Sequence, residues 1–133
     1  MKWRAAVDRA LAPLGLTHAQ YVLLASLYGM ERAGRRPTQR ELADHAGLEA
    51  LYTSKLARGL DADGLIRRDR DRADTRAIRL ALTDRGRDVV RPAIAEVAAL
   101  LDRLMAPLGG RGDPRAKALA QDLATLLDTP LDK

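Results

Sequence analysis

The chain is expected to be mainly α-helical with one small β-wing of two or three strands, and three observations lead there. Thr38 and Glu41 stand at capping-box spacing, where a threonine oxygen takes the N–H three residues on and the glutamate reaches back. Gly47 separates two short amphipathic segments, 38–46 and 49–63, as a residue that enters a sharp turn without a Cβ clash. An arginine-rich stretch, Arg67 to Arg76, is bracketed by two β-type runs, Leu65-Ile66 and Ile78 to Leu82. Two helices about a tight turn, followed by a hairpin, compose a winged helix-turn-helix lobe, expected over 17–82. Helices from both termini, 1–14 and 83–129, surround it as dimerisation helices in a single 133-residue domain.

The opening stretch to Ala12 reads as a helix, with Trp3, Val7, Leu11 and Leu14 at helical spacing and Pro13 and Gly15 as its stop. Thr17 caps the next helix, with Gln20 at the capping-box position and Tyr21, Leu24, Leu27 and Tyr28 as its stripe. Gly29 to Arg36 reads as a polar loop, and Pro37 cannot continue a preceding helix. In the helix from Thr38, Leu42 and Ala43 face inward and His45 or Ala46 ends it; Leu48 is the apolar residue that the Gly47 turn would bury.

The helix over 49–63 has two faces. At about 100° per residue, Thr53, Leu56, Ala57 and Leu60 fall on one side, and Leu51, Ser54, Lys55 and Arg58 on the other. The second set is small, polar and basic. Ser54 can bond a base edge or a phosphate, Lys55 and Arg58 can reach phosphate or guanine, and Leu51 can touch a thymine methyl. A plain solvated surface helix would have the same pattern. Gly59 costs this helix about 1 kcal/mol relative to alanine, which points to close packing at that position. In the second β-run, Ile78, Leu80 and Leu82 alternate inward with Arg79 and Ala81 outward. The arginines between the runs suit a wing that reaches DNA backbone or a narrow minor groove, where negative potential is strongest.

After the hairpin, Thr83 is an N-cap for a long helix to about Met105. Val90, Ile94, Val97, Leu101 and Leu104 step by four and three along it, a coiled-coil-like seam. Pro92 removes one helical hydrogen bond, so a kink is expected near 88–92. Gly109, Gly110 and Gly112 break the chain. Asp113-Pro114 restart it as N-cap and first helical residue, Ala116, Leu119, Leu123, Leu126 and Leu127 give the last helix a stripe, and Pro130 ends it.

Composition narrows the function. The net charge is +5, which suits a polyanionic partner. Phenylalanine is absent, so aliphatic residues fill the core. With no cysteine, disulfides, thiolate metal sites and a cysteine redox switch are excluded, and the cytoplasm is the expected compartment. No apolar run approaches the ~20 residues of a membrane span and no signal peptide is visible, so no membrane partner is expected. His18 and His45 have no carboxylate cluster nearby, so no metal is expected. There is no nucleophile–base pair and no phosphate loop, so neither a catalytic residue nor a cofactor is expected.

The span 16–86 resembles the MarR family of bacterial transcriptional regulators. The resemblance rests on Gly15-Leu16-Thr17-His18-Ala19-Gln20-Tyr21, Thr38-Gln39-Arg40-Glu41-Leu42-Ala43, Ser54-Lys55-Leu56 and Leu60 to Arg68. It continues through Asp71-Arg72-Ala73-Asp74-Thr75-Arg76 and Leu82-Thr83-Asp84-Arg85-Gly86. It implies an obligate homodimer on an inverted-repeat operator, usually a repressor, often released by a small aromatic or phenolic effector. Carried over by position, Ser54 and Lys55 lie on the recognition helix and Asp74 orients a minor-groove Arg76; phosphate contacts are expected separately at the helix start, from Thr38 and Gln39. Two departures stand out: Leu51-Tyr52 replaces small hydroxyl residues, and Thr75 replaces a second arginine, for which Arg72 can substitute. Trp3, Tyr21 and Tyr28 either line an effector pocket or belong to core and interface. An architectural or protein-interaction module that needs no ligand is the alternative function.

Overall fold

A computed structural model describes residues 2–109, 113–115 and 117–118, with backbone alone for 2–4, 104 and 108. Among the described residues, the named α-helices and one hairpin follow in the order α1 (Lys2–Leu11), α2 (His18–Arg32), α3 (Gln39–Ala46), α4 (Ala50–Ala62), β1 (Ile66–Arg70), β2 (Ile78–Leu82) and α5 (Asp84–Leu104). No single described helix is long and apolar enough to cross a membrane.

Local chemistry starts most of these elements. Thr17 and Thr38 each form a reciprocal capping box, with Gln20 and Glu41 respectively, and Thr83 caps α5 through the Gly86 N–H. Pro13 sits in a short 3₁₀ turn after α1, and Gly15 leaves it at φ 74°. At Gly47, φ is 68°, the left-handed value the helix-turn-helix bend requires. The Leu48 N–H closes that bend on the Ala43 carbonyl at 2.9 Å, although its side chain is only half-buried.

The core is aliphatic and continuous. Val7 and Leu11 of α1, Leu23, Leu24 and Leu27 of α2, Leu42 of α3, Ala57 and Leu60 of α4, Leu80 and Leu82 of β2 and Val90 of α5 pack into one cluster. α1 lies against α5, and α2 reaches α3, α4, α5 and β2, so it is the central strut. Strands β1 and β2 pair antiparallel with Ile66 opposite Leu82 and Arg70 opposite Ile78. A single bridge from Thr38 to Arg79, with the Leu80 N–H on the Pro37 carbonyl at 3.0 Å, adds a vestige of a third strand. The result is a winged helix-turn-helix.

Four sequence expectations change. α2 extends to Arg32, because Met30 is buried and Glu31 pairs with Arg87, so the expected loop over 29–36 shrinks. β1 extends to Arg70, since charged residues can alternate on a strand whose partner supplies the apolar contacts. Gly59 is exposed and an added Cβ there meets nothing, so close packing does not explain it. On α5 the chain buries Val90, Ala93, Val97 and Leu100, while Ile94 and Leu101 of the expected seam stay half-buried. The helix continues through the exposed Pro92. Near the C-terminus, the Asp113 carboxylate accepts from the Arg115 N–H at 2.8 Å and its carbonyl from the Lys117 N–H at 3.0 Å, as an N-cap should. The rest of the expected last helix, with Leu119, Leu123, Leu126 and Leu127, lies outside the described residues.

Candidate nucleic-acid interface

The second helix of the helix-turn-helix, α4, is pinned by a buried face and a capped start. Thr53, Ala57 and Leu60 are fully buried, and the Thr53 hydroxyl donates to the Glu49 carbonyl at 3.0 Å. Glu49 is the N-cap, its carboxylate accepting from the Leu51 N–H at 3.2 Å. With that face buried, Leu51, Lys55 and Arg58 project into solvent and Ser54 is half-exposed. These four are brought onto one outward surface.

At the start of α3, Thr38 and Gln39 flank the wing. The Thr38 hydroxyl accepts from the Glu41 N–H at 3.1 Å, and the Glu41 carboxylate accepts from the Thr38 N–H at 3.0 Å. That backbone bond from Thr38, first among its causes, holds the Glu41 carboxyl below its ordinary value. The Gln39 Oε1 is buried without a donor among the described residues. Thr38, Gln39 and Arg40 share an open cleft of about 630 Å³ with Asp74, Arg76, Ala77 and Ile78. The start of α3 and the tip of the wing therefore form one concave surface.

The wing tip is a network of hydrogen bonds between residues close in sequence. The Asp74 carboxylate accepts from the Arg76 N–H at 3.1 Å and from its Nε at 3.4 Å, leaving the Arg76 side chain 92% exposed. Asp71 accepts from the Asp74 N–H at 3.0 Å, and the Asp71 N–H donates to the Ala77 carbonyl at 3.0 Å. Arg70 closes the loop on the Thr75 carbonyl at 2.8 Å. Arg72 is exposed with no ion pair among the described residues. Asp74 thus directs Arg76 outward, and Arg72 stands free beside it.

Sequence reasoning missed the residue that ties this tip to the helices. Arg79, read as outward-facing, donates from Nε to the Asp71 carboxylate at 2.7 Å and from Nη1 to the Arg36 carbonyl, and lies 3.9 Å from Glu41. The Arg79 guanidinium, followed by the Asp74 N–H, holds the Asp71 carboxyl below its ordinary value. The available signal was cross-strand. Arg79 lies opposite Asp69 in the hairpin, so Asp71 is its diagonal neighbour.

The three aromatic candidates have separate surroundings. Tyr21 packs against the core, and burial raises its hydroxyl pKa. Tyr28 accepts from Arg32 at 3.4 Å and has the Arg91 guanidinium 6.0 Å from its ring centre. Arg32, then Arg91, lowers its pKa. The Trp3 side chain lies outside the described residues. Another cleft, about 440 Å³, lies between Asp8, Leu16, Thr17, His18 and Ala19 on one side and Tyr52 of α4 on the other.

Comparisons with known proteins agree with this architecture. The MarR family model matches residues 14–77. The chain is 36% identical over 92 residues to the uncharacterised HTH-type transcriptional regulator YdcH of Bacillus subtilis, covering 69% of this chain and 63%, under two thirds, of that protein. It superimposes on the transcriptional repressor CouR, bound to a 23-mer DNA duplex, with TM-score 0.81 and 31% identity, covering 95% of this chain and 84% of that one. The M. tuberculosis transcriptional regulator MOSR in complex with DNA gives TM-score 0.75 and 30% identity, over 94% of this chain and 84% of that one. With the capped helix-turn-helix, the Asp74–Arg76 wing and these similarities together, the chain belongs to the MarR family of transcriptional regulators rather than to an enzyme family.

Proposed function

We propose that the protein is a sequence-specific DNA-binding repressor, acting in the cytoplasm as a homodimer on an inverted-repeat operator. The observation that carries this reading is that two basic elements, the wing tip and the outer face of α4, both leave their cationic side chains exposed. Arg76, held by Asp74, points into solvent at the wing, and Lys55 and Arg58 do so on α4, with the cleft at Thr38 and Gln39 between the wing and α3. Side chains on α4 read base edges in the major groove, Arg72 and Arg76 meet the minor groove or its backbone, and the start of α3 meets phosphate. The relatives named above that are bound to DNA support the same partner.

The test is selection of binding sites from a randomised duplex pool, followed by footprinting. An inverted repeat should emerge, with two protected major-groove segments flanked by minor-groove protection. Arg76→Ala should weaken binding to the selected site by about 10-fold or more, keep its sequence preference and reduce the slope of log affinity against log salt by about two, one for each protomer. Absence of any enriched sequence would favour a non-specific architectural role.

Effector control is a second reading, favoured by the cleft between α1–α2 and Tyr52. A small aromatic or phenolic ligand lodged there, or against Trp3, Tyr21 and Tyr28, releases DNA only if it binds the non-reading arrangement more tightly. A panel of phenolic compounds that neither raises the melting temperature nor frees the operator would leave a constitutive binder.

A further inference from the structure

We propose that Leu51 reads the C5-methyl group of a thymine, so that each operator half-site carries a T·A pair at the position beneath the first turn of α4. The inference rests on the DNA-reading function above and goes on to name what one residue reads.

Leu51 and Tyr52 are the exposed large hydrophobic residues among those described, at 60% and 45% exposure, and they are consecutive. What gives Leu51 a candidate role is its place among the cationic side chains of α4 rather than its exposure alone. The rest of the outward face identifies the occupant. Ser54, Lys55 and Arg58 share it with Leu51, and a polyanion complements that charge better than a second copy of a basic protein. Taking Leu51 as zero at about 100° per residue, Lys55 and Arg58 fall on either side of it, Ser54 lies further round, and Tyr52 lies on the opposite flank. Leu51 is therefore central on the face, and as the second residue of α4 it sits at the end that helix-turn-helix proteins insert deepest.

The chemistry at that end leaves one fitting base. Glu49 caps the helix and occupies the Leu51 N–H, so at this residue the side chain, not the backbone donor, is what is left to meet a base. Leucine has no donor or acceptor. Among the four bases, only thymine presents a methyl group on its major-groove edge. Against any other base, Leu51 would strip water from polar edge atoms and return no hydrogen bond, a net penalty. Tyr52 lies on the flank and lines the cleft with Leu16 and His18, so Leu51 is the apolar residue left on the basic face.

Replacing thymine by deoxyuridine removes the methyl group and leaves every hydrogen-bonding group and charge in place. In gel-shift titrations on the selected operator, deoxyuridine is introduced at one symmetric pair of thymines at a time. One pair should weaken the wild-type protein about 15-fold, from about fourfold per methyl in each half-site. Leu51→Ala should bind the thymine operator correspondingly less tightly and lose that discrimination, which a double-mutant cycle isolates. Leu51 is exposed, so the variant should keep the wild-type melting curve. The proposal is overturned if no thymine pair is sensitive, if Leu51→Ala keeps the sensitivity, or if Leu51→Ala alters self-association and leaves operator affinity unchanged, which would assign the surface to a second copy. Failure to bind any duplex would instead sink the DNA-reading function itself.

Discussion

Two glycines with the same freedom do opposite things here, and only the fold distinguishes them. At Gly86, in the first turn of α5, an added Cβ would stand 2.0 Å from the Leu65 carbonyl oxygen and 3.2 Å from a Leu82 methyl. The helix can approach the start of the wing only because no side chain intervenes, and there the Thr83 hydroxyl also bonds the Gly64 carbonyl at 2.6 Å. Gly86→Ala should therefore cost about 1–3 kcal/mol, as overpacking against backbone does. Gly59 meets open space in a helical conformation, so Gly59→Ala should stabilise by about 0.5–1 kcal/mol by restricting the unfolded chain. Chemical denaturation of both variants checks the contrast; equal effects would mean α5 shifts freely. The sequence placed both residues on helices, yet the inference that Gly59 marked close packing was wrong. Helical phase alone puts it near the outward Leu51–Lys55 face. By contrast, the capping residues Thr17, Thr38 and Thr83 were legible because a cap is chemistry between residues three apart.

At the level of elements, two long-range arginine contacts decide how the parts sit. Arg79 joins the wing tip, through Asp71, to the Arg36 carbonyl and the neighbourhood of Glu41 at the start of α3. The Asp71 carboxylate, 15% exposed, also takes the Asp74 N–H, and Asp74 in turn orients Arg76. Arg79 is thus a positioning residue for Arg76. Arg79→Met should leave major-groove protection on α4 intact while removing minor-groove protection, a split that general unfolding would not produce; simultaneous loss of both would refute it. The second contact ties α2 to α5. Glu31 accepts from Arg87 at 2.7 and 2.8 Å, and the Arg87 bond holds the Glu31 carboxyl below its ordinary 4.5. A depressed carboxylate stabilises the fold above its unfolded pKa and loses that contribution as pH falls through the folded value. The melting temperature should therefore fall as pH drops below about 4.5, and Glu31→Gln, already without the charge, should fall less steeply over the same interval. Parallel curves would remove Glu31 from the acid response. Beyond the cross-strand signal for Arg79 and Asp71, neither contact was legible beforehand, because Glu31 and Arg87 are 56 positions apart and Arg36 and Arg79 are 43. Periodicity reports which face a residue is on and says nothing about what that face will meet. The charged half of β1 was missed similarly, since Arg67 to Arg70 become a strand only through pairing with Ile78 to Leu82.

For the whole molecule, the question is what α5 does with the apolar side that one chain leaves half-covered. Val90, Ala93, Val97 and Leu100 are spent on the chain's own core, whereas Ile94 and Leu101 lie beside them, half-buried and two turns apart. A helix with one filled stripe and an adjoining partial one suits two-fold packing against a copy of itself, which is self-complementary by symmetry. Such a dimer would fix the distance between two copies of α4 at about one DNA turn or a multiple. The charge pair Ile94→Asp and Leu101→Asp should then shift sedimentation from dimer to monomer at micromolar concentration while preserving helical content, because neither side chain is fully buried in its own chain. The same variant should bind an isolated half-site about as well as the wild type, yet lose most of its preference for the inverted repeat, since linking two half-sites is what makes the second contact effectively intramolecular. Its salt dependence should halve with the number of phosphates engaged, against about a 10³-fold loss for the intact dimer between 50 and 200 mM salt if six or more are contacted. A wild-type protein that sediments as a monomer at micromolar concentration would overturn the dimer, and a double variant that still distinguishes the full repeat from a half-site would place the two-fold axis elsewhere.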